Sequence, residues 1–123
     1  MNTQTELIAF DSGITLESGE KLDSFELMVE SYGELNQKKT NAVLVCHAFS
    51  GNHHASGEAE TKEVGWWNEI VGPNKAIDTN KYYVVCCNNL GGCSGSSGPK
   101  SVNPSSNKPY GISFPHVTVS DWV

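Results

Sequence analysis

The chain has 123 residues, 37% of them hydrophobic, with 12 Gly and 5 Pro, which suits one small, loop-rich domain with a modest core. Its formal net charge is −6 and its basic residues are all Lys, so it offers neither the field nor the forked donor of a phosphate-backbone reader, and nucleic acid is excluded as a partner. Residues 1 to 10 carry no basic n-region, and no apolar run approaches the roughly 20 residues that span a bilayer, so a soluble, cytoplasmic protein without membrane contact is expected.

In chain order, the first readable segment is Ile14 to Tyr32, which predicts an antiparallel pair of edge strands. Phe25, Leu27 and Val29 alternate with Glu26, Met28 and Glu30, the period of a half-buried strand, and Ser18-Gly19-Glu20 supplies turn chemistry after Ile14-Thr15-Leu16. Gly33 to Asn41 is a polar connector with Lys38 and Lys39 at its tip. Ala42 to Cys46 follows as a buried central strand, ending on the loop His47-Ala48-Phe49-Ser50-Gly51. A small-residue loop at the carboxyl end of such a strand can turn backbone N–H groups toward developing negative charge, and Phe49 N–H is the candidate donor.

Val64 to Val71 predicts about two turns of helix, ended by Gly72-Pro73 and weakened by Gly65. Trp66 and Trp67 would then point to different sides, as core and rim aromatics. Tyr82 to Cys87 is a second continuous apolar run, far enough along to be the parallel neighbour of Ala42 to Cys46. The organisation is α/β. From Asn88 to Pro115 the chain is rich in Gly, Pro, Ser and Asn, and Leu90, Cys93, Tyr110, Ile112 and Phe114 predict a loop pinned to a surface. Ser120 or Thr118 can cap a helix with Asp121 in its first turn, yet the sequence ends at Val123, so an incomplete sheet and an N-terminal fragment of a larger domain are expected.

The four cysteines, Cys46, Cys86, Cys87 and Cys93, lack disulfide-scaffold spacing. His53 and His54 lack the paired spacing of a zinc site, and no metal is expected. His47 ends a strand and is expected to fix its own loop by hydrogen bonding.

The runs LESGEKLDSFELMVESYGELN (Leu16 to Asn36), NAVLVCHAFSGNHHASG (Asn41 to Gly57), GWWNEIVGPNKAIDTNKYYVV (Gly65 to Val85) and NNLGGCSGSSGPKSVNP (Asn88 to Pro104) resemble the homoserine O-acyltransferases of the acetyltransferase type, within the α/β-hydrolase superfamily. The resemblance implies the N-terminal part of an α/β-hydrolase fold, an antiparallel strand pair followed by central parallel strands. It also implies ping-pong transfer of an acetyl group from acetyl-CoA, or succinyl from succinyl-CoA, to the hydroxyl of L-homoserine through a serine acyl-enzyme, on the way to methionine. Acyl-CoA would be a co-substrate with no cofactor bound, and the whole enzyme a homodimer.

On this resemblance Phe49 N–H is the oxyanion donor, Ser50, Gly51 and His54 bind substrate or line the pocket, and the histidine His54 matches one in the family's loop. The elbow pattern G-x-S-x-G does not occur, because Gly95-Ser96-Ser97-Gly98 has the wrong spacing. Nucleophile, lid and the rest of the triad are therefore expected outside these residues, and the 123-residue chain alone is expected to be inactive. A non-catalytic binding module of the same fold and a hydrolase of the superfamily are the alternatives.

Overall fold

The computed structural model describes residues 1–123. It contains β1 (Thr3–Phe10), β2 (Ile14–Thr15), β3 (Lys21–Leu22), β4 (Phe25–Tyr32), β5 (Ala42–Val45), β6 (Val71–Gly72), β7 (Ile77–Asp78), β8 (Tyr83–Cys87), β9 (Val102–Asn103) and β10 (Lys108–Pro109), a 3-10 turn at Gly111–Ser113 and a short helix α1 at Val119–Trp122. Its contacts divide it into two units, one of Met1–Glu6 and Val29–Cys87, the other of Leu7–Met28 and Asn88–Val123.

The main sheet has the order β1-β4-β8-β5. β4 pairs antiparallel with β8, Val29 opposite Cys87 and Tyr32 opposite Val84, and β5 pairs parallel with β8, Ala42 opposite Tyr83 and Val45 opposite Cys86. The two apolar runs are thus parallel neighbours, as expected. An antiparallel pair does form within Ile14 to Tyr32, as the small hairpin of β2 with β3, but β4 is not part of it and lies inside the main sheet between β1 and β8, so its expected place at an edge is corrected. The strand that sequence periodicity missed is β1, TQTELIAF, whose residues are nearly all exposed and give no apolar alternation.

In the first unit the core is Tyr32, Val45, Ala55, Val71, Val84 and Cys86, with Val43 and Ile77 packed against it. Side chains alternate across a strand, so Val43, Val45, Val84 and Cys86 share the core face while Leu44 stands on the other. Leu44 is 66% exposed, which corrects the expectation of a fully buried β5: it has one strand neighbour and one covered face.

The helix expected over Val64 to Val71 is absent. Gly65 is buried where a Cβ would lie 2.2 Å from the Ser56 nitrogen, so the chain is held flat against residues 55–56 and makes turns in place of a helix, Asn68 N–H donating to Gly65 O and then Ile70 N–H and Val71 N–H to Trp67 O. Trp66 and Trp67 therefore do not diverge. Their rings stack on each other at 5.4 Å, both about 40% exposed, instead of dividing between core and rim.

In the second unit Leu16, Leu22 and Leu90 are buried with Ile14, Phe25, Leu27, Tyr110, Phe114 and Val117 around them. The Gly-rich segment is zipped to the first half of β4: Ser97 Oγ accepts from Glu26 N–H, Ser97 N–H donates to Glu26 O, Ser96 Oγ accepts from Met28 N–H and Asn88 N–H donates to Met28 O. Serine hydroxyls stand in for a neighbouring strand. Leu90, Tyr110 and Phe114 pin the segment as expected, whereas Cys93 is exposed and Ile112 fully so, correcting their expected packing. α1 is capped by Thr118, whose N–H donates to Asp121 Oδ2 at 2.7 Å. No helix is long and apolar enough to cross a membrane.

Candidate functional site

The loop leaving β5 divides into an open turn and a fastened stretch. In the turn, Gly51 N–H donates to Ala48 O at 2.8 Å and His47 Nδ1–H donates to the same oxygen at 2.7 Å, so the histidine braces its own loop. Phe49 and Ser50 occupy the two central positions. Phe49 is 94% exposed and no group of the chain accepts its N–H. Gly51 backs directly onto His47: a Cβ there would meet the His47 Cβ at 3.0 Å and Nδ1 at 3.2 Å, close enough to push the ring off Ala48 O.

The fastened stretch, Asn52 to Gly57, is tied to β4. Tyr32 Oη, fully buried, accepts from Ala55 N–H at 2.7 Å and from Ser56 N–H at 3.0 Å, ending two backbone donors that no strand satisfies. Burial pushes the Tyr32 phenol far above its ordinary value, and the Glu30 charge adds to this against the two N–H groups. The hydroxyl therefore stays neutral and keeps its own proton. Glu30, itself 5% exposed, places Oε2 at 2.9 Å from His54 Nδ1, and His54 Nε2 lies 3.2 Å from Glu63 O. The ring is held between these two acceptors.

Asn52 is the hinge between the two parts. Its Oδ1 accepts from His54 N–H, and its carbonyl accepts from Trp66 Nε1–H at 3.0 Å and faces Cys86 Sγ at 3.8 Å. Ser56 Oγ–H donates to Val71 O at 2.7 Å, and Gly57 N–H donates to Asn68 Oδ1. His53 is less well served. Its Nδ1 is buried without a partner, and burial lowers its pKa against the pull of Glu30.

Of the residues singled out in the sequence, Phe49, Ser50 and Gly51 fall together in the open turn, and His54 lies in the fastened stretch, engaged with Glu30. Glu30, Tyr32 and Asn52 carry the scaffold and were not singled out. Glu30 sits at a position that strict alternation assigns to solvent, but β4 is buried on both faces from Val29 to Tyr32, and only the resulting run of buried residues could have signalled it. No three His, Cys, Asp or Glu side chains converge as a metal site.

No family model matches the chain. The homoserine O-succinyltransferase of Saccharophagus degradans is 56% identical over 120 residues, which is 96% of this chain and 32% of that protein. The chain belongs to the homoserine O-acyltransferase family. It spans about a third of the length of such relatives and matches their N-terminal portion. Among solved structures, the homoserine O-acetyltransferase from Bacillus anthracis superimposes with a TM-score of 0.88 at 36% identity, over 98% of this chain and 34% of that one. Esterase E22 gives the same TM-score at 34% identity, over 98% of this chain and 35% of its own. The fold of this homoserine O-acyltransferase relative is thus the α/β-hydrolase fold, present here with an incomplete sheet.

Proposed function

We propose that the chain is the N-terminal part of a single α/β-hydrolase domain that transfers an acyl group from acyl-CoA to the hydroxyl of L-homoserine. The observation that carries this reading is the 56% identity to a homoserine O-succinyltransferase over 120 residues. Phe49 N–H is the oxyanion donor: it is unpaired, exposed and mounted on a turn whose base is braced by His47. Ser50 and Gly51 shape the substrate side of that turn. His54, held by Glu30, orients the stretch behind it.

The nucleophile, its acid and its histidine belong to residues beyond these 123, which contain no G-x-S-x-G. When complete, a serine acyl-enzyme forms with loss of CoA thiol, and homoserine oxygen then attacks the same carbonyl. Both tetrahedral oxyanions draw on the one N–H. The lid, a homodimer and a cytoplasmic location are parts of the same reading.

The acyl group is acetyl on the sequence expectation and succinyl on the name of the Saccharophagus degradans relative. A chimera decides. This chain replaces the matching 120 residues of that relative, and acylation of homoserine is measured with acetyl-CoA and succinyl-CoA side by side, the isolated chain serving as an inactive control. Activity with either donor supports the reading and names the donor; a folded chimera that acylates nothing contradicts it. The likeness to esterase E22 supports a second reading, ester hydrolysis on the same oxyanion turn, which predicts release of free acid without any need for homoserine.

A further inference from the structure

Two thiols outside the oxyanion turn stand next to each other across neighbouring strands. The last parallel register pair of β5 and β8 is Val45 with Cys86, so the next step along both chains brings Cys46 opposite Cys87. Val45 and Cys86 face the core, and because side chains alternate, Cys46 and Cys87 lie together on the other face, the one that carries the exposed Leu44. Paired strands run about 4.8 Å apart, inside the roughly 4.4–6.8 Å between Cα atoms that a disulfide bridges. Cys46 is exposed and Cys87 half-buried, so an oxidant reaches the first and the second is within reach of it.

We propose that Cys46 and Cys87 are a redox pair, oxidised by peroxide to a reversible cross-strand disulfide. In the first step the Cys46 thiolate sulfur takes the distal hydroxyl of the peroxide, breaking the O–O bond and releasing hydroxide, which leaves a sulfenic acid. In the second, the Cys87 thiol loses its proton and its sulfur attacks the Cys46 sulfur, expelling hydroxide. Two thiols and one hydrogen peroxide thus give one disulfide and two waters.

Cys86 cannot replace either partner. Cys86 points into the core with its Sγ toward Asn52 O, and burial pushes its thiol up to about 12, leaving almost no thiolate to react. Burial and the neighbouring Cys46 also raise Cys87, which agrees with the two sulfurs being close and makes Cys46 the first to be oxidised. The bond would fasten the residue directly before His47 to β8. It would therefore tether the base of the Phe49 turn.

The test treats the whole reduced chain with equimolar hydrogen peroxide. The expected product has lost two hydrogen atoms in intact mass, shows two of its four thiols on titration in denaturant, yields a peptide joining Cys46 to Cys87, and reverts with dithiothreitol. Cys93→Ser should form the same bond, while Cys46→Ser and Cys87→Ser should not. Circular dichroism of each variant confirms that it is folded, and the peptide map of the unsubstituted chain stands whether or not they are. Four surviving thiols, oxygen added at Cys46 without a cross-link, or a bond joining any other pair would overturn the proposal. None of these readings depends on acyl transfer.

Discussion

The two parts of the loop after β5 are built on opposite terms. From His47 to Gly51 the turn closes on Ala48 O, which receives both the ring of His47 and the N–H of Gly51, and the residues between them face solvent. From Asn52 to Gly57 nearly every residue is fastened, to the Tyr32 hydroxyl, the Glu30 carboxylate through His54, or the Asn68 side chain. On the proposed reading Phe49 N–H must face a ligand, and such a donor cannot also be satisfied from within. Its position is instead secured by the stretch that follows, where buried polar groups are paired on rigid elements.

The largest expected effect breaks the fastened part alone. Tyr32→Phe keeps the ring in the core but removes the acceptor for Ala55 and Ser56 N–H, both fully buried. Leaving two such donors unsatisfied costs about 1–3 kcal/mol each, so urea unfolding should show a loss of roughly 2–6 kcal/mol. A change within about 0.5 kcal/mol, the usual size for an unconnected surface site, would mean that water or a shift of the loop replaces the hydroxyl.

A smaller effect follows from His53. Its folded pKa lies below the ordinary 6.5, so as pH falls through that value the unfolded chain takes up a proton before the folded one does. Stability from this group is present above about 6.5 and lost as pH drops toward the folded value. The urea midpoint should therefore decline as pH falls below about 6.5, and His53→Gln should flatten that decline. An unchanged slope in the variant would assign the decline to other groups.

How much of this was legible in the sequence depended on the kind of signal. The parallel pairing of β5 with β8 followed from two apolar runs with enough chain between them, and the capped entry of α1 from Thr118 and Asp121. β1 was hidden because an exposed strand buries too little to leave an apolar alternation. The Val64 to Val71 helix failed to a tertiary constraint, the close approach of Gly65 to the 55–56 backbone, which local propensity does not contain. At the site, the open turn was readable because small residues after an apolar strand are a local pattern. Its scaffold was not, since Glu30 to His54 and Tyr32 to Ala55 are pairs separated by 24 and 23 residues, and no local period reports such partners.

The central claim concerns one backbone N–H, and proline removes it with little disturbance. Phe49 is the second residue of a turn from Ala48 to Gly51, the position where the fixed φ of proline is ordinarily accommodated. In the active chimera, Phe49→Pro should lower kcat for homoserine acylation by about 10²–10³, the usual loss for one oxyanion donor, whereas Phe49→Ala, which keeps the N–H, should stay close to the parent. Equal, near-parental activity in both variants would contradict the assignment and move the oxyanion donor elsewhere.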